Sequence, residues 1–155
     1  MRRLTGVLLA GAILLMPALS QDLLAQAAAA QAPVKTTFTG ELVLAAYIVN
    51  PDKVADYLTV IATLKDSLMK STRPEAKQQL AGWQIIRNSL AQPDGGVLFV
   101  HIIKTVPDAD YSITNLVYET VTDPAKQTEF YNLYRGALRM PLFVIQGPVT
   151  ADLSK

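Results

Sequence analysis

The hydrophobic pattern of this chain changes period several times after residue 40, and each change marks an element. "GELVLAAYIVN", Gly40 to Asn50, is apolar almost throughout and rich in β-branched and aromatic residues. Bounded by Gly40 and by Asn50-Pro51-Asp52, it predicts a buried strand. In "DKVADYLTVIATLKDSL" the spacing lengthens, with Val54, Tyr57, Leu58, Ile61, Leu64 and Leu68 falling on one side of a helix. Asn50 or Asp52 is placed to cap it. "STRPEAKQQLAG" is a polar connector with room for one short helical turn. "WQIIRNSL" and "VLFVHIIKTV" then flank Gln92-Pro93-Asp94-Gly95-Gly96. That is strand, tight turn, strand, with Asp-Gly-Gly supplying the positive φ angles of a hairpin. Beyond Pro107, Ile113, Leu116 and Val117 predict a short helix opened by Asp110. "TDPAKQTEFYNLYRGAL" sets Asp123 before Pro124, a cap followed by a good first helical residue, with Phe130, Leu133, Tyr134, Ala137 and Leu138 on one face. "MPLFVIQGP" reads as a last strand stopped by Gly147-Pro148.

The predicted order, β-α-β-β-α-β, is that of an α+β domain of the ferredoxin-like kind, a four-stranded antiparallel sheet with helices on one face. Two-residue alternation sorts the strand side chains. Leu42, Leu44, Ala46 and Ile48 share a side with Leu98, Val100 and Ile102; these purely aliphatic sets are expected beneath the helices. The opposite face then carries Tyr47, Phe99 and His101, joined by Trp83, Ile85 and Arg87 from the second strand and by Phe143 and Ile145 from the last. Such a face is too apolar to be left in water. The expected cover is a second copy, giving a homodimer through the sheet face.

In its element order, and in "ELVLAAYIV" plus helix and "GWQIIRNS" plus hairpin, the chain resembles the dimeric α+β-barrel group of ferredoxin-like proteins, which includes the antibiotic-biosynthesis-monooxygenase-like proteins. The resemblance implies two sheets packed face to face and a small-molecule pocket in each half. It is architectural, so no role from that group passes to Asn88, Trp83 or His101.

The N-terminus has a different pattern. Met1-Arg2-Arg3 precedes an uncharged run of sixteen residues, Leu4 to Leu19, the form of a secretory signal peptide. As a helix it would reach about 24 Å, short of a hydrocarbon core of about 30 Å. Ala25-Gln26-Ala27 suits a signal peptidase, and Ala30-Gln31-Ala32 less well because Pro33 follows. The expected division is a signal peptide over 1–27, a flexible tether over 28–36 and one domain over 37–155. The protein is then exported, periplasmic or secreted; the alternative is an uncleaved N-terminal anchor. Losing Arg2, Arg3 and Asp22 takes the chain from 14 basic and 13 acidic residues to 12 of each. A neutral domain without basic runs argues against nucleic acid as partner, and no membrane partner is expected after cleavage. The chain contains no cysteine, which removes disulfides, thiol nucleophiles and Cys-ligated metals.

Candidate chemistry is sparse. His101 is the only histidine, so it is the only candidate base and a metal centre is not expected. Between Val100 and Ile102 it reads first as a packed, hydrogen-bonded imidazole. Arg87 could receive an anion through its guanidinium fork or simply reach solvent, and Trp83 reads as an anchor with a satisfied indole. Tyr47, Trp83, Arg87, Phe99 and His101 form the expected ligand-binding set. Tyr111, Tyr118, Tyr131 and Tyr134 make the second half tyrosine-rich, with core packing as the default. No GxSxG, HExxH, P-loop or dinucleotide fingerprint occurs, so no cofactor is expected. Two readings follow. One is a non-catalytic exported domain that binds a small apolar or aromatic molecule or serves as a dimeric interaction module. The other is a cofactor-independent monooxygenase- or isomerase-like enzyme with His101 as base and Arg87 or Trp83 orienting substrate.

Overall fold

The computed structural model describes residues 34–90 and 92–153; the expected signal peptide over 1–27 and most of the tether lie outside them. The described residues from Lys35 onward form one compact unit. Four strands, β1 (Leu42–Val49), β2 (Trp83–Arg87), β3 (Val97–Lys104) and β4 (Leu138–Gly147), make an open antiparallel sheet in the order β2-β3-β1-β4. Four helices complete the fold: α1 (Val54–Lys70), α2 (Ala76–Gly82), α3 (Ile113–Tyr118) and α4 (Pro124–Ala137). The result is an α+β fold compatible with a ferredoxin-like architecture.

Local chemistry explains the element ends, with two departures from expectation. α1 begins after a 3-10 turn over Pro51–Lys53, and neither Asn50 nor Asp52 caps it. The Asn50 amide instead donates to the Gly136 carbonyl at 3.3 Å, and its backbone N–H donates to Ala137 at 3.0 Å. These bonds tie the start of α1 to the end of α4. The short helix α3 is capped by Ser112, whose Oγ accepts from the Asn115 N–H. Asp110 works one step earlier, its carboxylate accepting from the N–H groups of Thr36 and Ser112. Asp123 does cap α4, accepting from the Ala125 N–H at 2.9 Å. The polar connector forms a full seven-residue helix, α2.

Which sheet face meets the helices is the main correction. Antiparallel pairing sets Ala45 opposite His101, Tyr47 opposite Phe99 and Ile85 opposite His101, and this aromatic face, not the aliphatic one, lies under the helices. Val49, Tyr57, Phe99 and Ala137 form one core cluster, and Val43, Ile103, Ala109 and Tyr111 another. A third cluster, including Val60, Leu64, Leu116 and Phe130, joins the helices to one another. The face of α1 is accordingly turned from that predicted: Tyr57, Val60, Leu64 and Leu68 are buried, while Leu58 is exposed. Large rings fill the gap between sheet and helices, which short aliphatic chains would leave as voids.

The outer face carries Leu42, Leu44, Leu98, Val100 and Ile102, all half-buried, and the exposed Ile86. None of them belongs to a core cluster among the described residues. Phe143 and Ile145 sit opposite Ala46 and Leu44, so they belong to this aliphatic face rather than beside His101. Shifts in the β1–β4 register at Ala46/Tyr47 and Ile48/Val49 are the irregularities that defeat simple alternation along β4.

The hairpin glycines act differently. Gly95 has φ +75°, while a Cβ on Gly96 would run into the Ile48 side chain. Gly95→Ala should therefore lower the unfolding free energy by about 1 kcal/mol, read as a fall in the denaturant midpoint, with Gly95→Asn less affected.

Candidate functional site

Burying a histidine in an aromatic layer requires a partner for each ring nitrogen. His101, 1 % exposed, has both. The Trp83 indole N–H donates to Nδ1 at 3.1 Å, and Nε2 lies 2.6 Å from the Tyr57 hydroxyl. An indole N–H can only donate, so Nδ1 is the acceptor and the neutral ring carries its proton on Nε2, which donates to Tyr57. Burial pushes the His101 pKa down to about 4 and the Tyr57 phenol well above its ordinary value. The imidazole is neutral at ordinary pH and has no lone pair left for a substrate proton. As arranged, it is a structural connector between α1, β2 and β3.

One side of this connector faces a cavity of about 160 Å³ between sheet and helices. Its sheet wall is Ala45, Tyr47, Trp83, His101 and Ile103. Thr36 and Phe38 close it from the N-terminal arm, Tyr111 and Ser112–Thr114 from the start of α3, and Tyr134 from α4. The arm is held in place: Tyr111 N–H donates to the Thr36 carbonyl at 2.7 Å, and the Phe38 and Tyr111 rings are 5.3 Å apart. Buried Gln79 on α2 supports the same loop by donating to the Asp110 carbonyl at 2.7 Å. The Trp83 ring packs 5.6 Å from Tyr111 and 5.8 Å from His101. A larger groove of about 350 Å³ lies across Trp83, lined by Ile61, Leu64, Leu68, Leu80 and Ile85 with Lys65. It offers shape but little polar chemistry.

Of the expected ligand-binding set, the fold brings Tyr47, Trp83 and His101 to one cavity. Phe99 shares their face but is sealed against the Tyr57 ring at 4.8 Å. Arg87 ends β2 in an exposed position outside the cavity, so His101 and Arg87 do not meet there. Tyr57, Phe38, Tyr111 and Tyr134 escaped the sequence reading as site residues. Tyr57 was legible only as part of a helix's apolar face, and Tyr111 and Tyr134 only as members of a tyrosine-rich second half, which carries no information about which rings converge; Phe38 gave no signal. No protein-family profile, curated protein or solved structure matches the chain.

The depressed His101 pKa makes stability depend on pH. In the unfolded chain the ring takes up a proton near the ordinary 6.5, whereas in the folded protein it resists until about 4. Within that window the unfolded state binds more protons, so stability rises with pH and is lost as pH falls from 6.5 toward 4. The loss amounts to about 3 kcal/mol. Urea unfolding across this range should show the slope in the native chain, and His101→Gln should remove most of its upper half, above the carboxylate range.

Proposed function

We propose that this chain is an exported, non-catalytic domain of ferredoxin-like architecture that binds a small apolar or aromatic molecule and works as a homodimer. The observation that carries the binding reading is the aromatic cavity beside Trp83, which remains open although the surrounding rings are tightly packed. An apolar cavity near 150 Å³ accommodates a single ring such as benzene, and this one, of about 160 Å³, adds hydroxyl groups to its aromatic walls. Binding rather than catalysis is favoured because the chain's one imidazole has both nitrogens engaged within the fold. Export rests on the basic start and short apolar run of residues 1–19.

Dimerisation rests on the outer sheet face. Strands of eight, five, eight and ten residues at about 3.3 Å per residue, about 4.8 Å apart, present a flat area of about 500 Å² before side-chain relief is counted. The footprint includes Gln84, Lys104 and the already buried Ala46 and Ile48, and it stands below the roughly 800 Å² per partner of a standard interface, which side-chain relief and strand β4 would have to extend. Strand β4 adds to the need for cover: it is an edge strand of ten residues with Met140, Leu142, Phe143, Val144 and Ile145 all exposed, the kind of edge that attracts another chain. A second copy supplies a matching sheet for face-to-face packing.

Two experiments test the two halves. α-Methylstyrene should shift the emission of Trp83, the chain's only tryptophan, saturably, and Thr114→Phe at the rim should abolish the shift; a linear, non-saturating response to this and to other one-ring probes alike would overturn the binding reading. In sedimentation, the native chain should run as a dimer and Val100→Lys as a folded monomer. A native monomer would overturn the dimer.

A further inference from the structure

The polar groups inside the cavity are unequally occupied, and the inequality indicates what kind of ligand fits. This step rests on the binding reading above. The Ser112 and Thr114 hydroxyls bond each other at 3.1 Å, and Ser112 also caps α3. The Tyr111 hydroxyl accepts from the Val106 N–H at 2.7 Å. His101 is saturated. The two remaining phenols, Tyr47 on β1 and Tyr134 on α4, line the cavity, and neither hydroxyl has a hydrogen-bond partner among the described residues. Each O–H keeps some access to solvent, so an occupant's acceptor would take the place of water there.

The rest of the wall excludes charge. Among the described residues no Lys, Arg, Asp or Glu lines the cavity, so a carboxylate or an ammonium group would enter without a counter-ion from them, at a desolvation cost that little there offsets. Both phenols also remain neutral donors. Burial raises Tyr47, and it pushes Tyr134 up to about 12, with the Tyr47 phenol adding to the rise. What two neutral O–H donors recognise best is one oxygen with two lone pairs, and a carbonyl has that form. The aromatic walls of Phe38, Trp83 and Tyr111 favour a flat ring beside it.

We propose that the cavity takes an uncharged one-ring carbonyl compound, its oxygen accepting from the hydroxyls of Tyr47 and Tyr134 and its ring packed against Trp83. Tyr47 and Tyr134 are then the residues that determine specificity, and they come from opposite walls, one from the sheet and one from α4.

The test compares three probes on the full chain through the Trp83 signal: acetophenone; α-methylstyrene, which has nearly the same shape with CH₂ in place of the oxygen; and benzoate, which carries a charge. Each of Tyr47→Phe and Tyr134→Phe should weaken acetophenone by about fivefold, the worth of one ordinary hydrogen bond, and leave α-methylstyrene unchanged. Benzoate should bind worst. Thermal unfolding of both variants reports whether the fold is intact, so a lost ligand is told apart from a lost structure. If α-methylstyrene binds saturably but the acetophenone-to-α-methylstyrene ratio is the same in native and variant chains, the carbonyl assignment is overturned while the binding reading stands. Benzoate binding more tightly than acetophenone overturns it as well. If none of the three probes binds, both fall.

Discussion

A buried imidazole with two satisfied nitrogens is the constraint around which this domain is arranged. Trp83 donates to one nitrogen of His101 and Tyr57 accepts from the other. The three residues come from β2, β3 and α1, so the bonds form only when the edge strand is in register and the helix lies over the sheet. Removing either partner would leave a polar nitrogen unsatisfied in an apolar layer, at a cost of about 1–3 kcal/mol. The same geometry makes the ring a poor general base, since neither nitrogen has capacity to spare.

That arrangement determines the character of both sheet faces. Because the aromatic side lies beneath the helices, Tyr47, Trp83 and His101 face Tyr111 and Tyr134 there, and a cavity of about 160 Å³ lies among them. Phe38 and Thr36 on the arm, with Ser112 and Thr114 at the start of α3, close it from above. The other side carries mostly aliphatic side chains, with Gln84 and Lys104 among them. Cavity and outer face are thus two consequences of one choice of which side the helices cover.

The neutral interior of the cavity follows from the same economy of polar groups. Hydrogen bonds already engage Ser112, Thr114, Tyr111 and His101, and the phenols of Tyr47 and Tyr134 stand apart as unused donors on facing elements. Charged side chains stay outside: Lys53–Asp56, Lys70–Asp66 and Arg139–Asp94 pair on the surface, where such pairs contribute little to stability. The cavity therefore offers shape and neutral hydrogen-bonding groups.

The amino-acid sequence by itself determined the elements whose signals are local. Apolar runs marked β1 and β3, Asp123-Pro124 marked the start of α4, and Asp94-Gly95-Gly96 marked the turn, because caps, turns and alternation act over a few residues. It also determined that Phe99 and His101 share a face of β3, since alternation within a strand needs no third dimension; that Tyr47 and Trp83 join them there followed from strand register. It did not determine which face the helices cover. Aliphatic content favoured one side, but the outcome depended on the reach of Tyr57 and Trp83 to His101, groups forty-four and eighteen residues away in the chain. The placement of Phe143 and Ile145 turned on register shifts along β4, which no alternation records. Only the tertiary structure could decide these, because a polar group becomes cheap to bury when its partners arrive from elsewhere in the fold, and their arrival is not written in its neighbours.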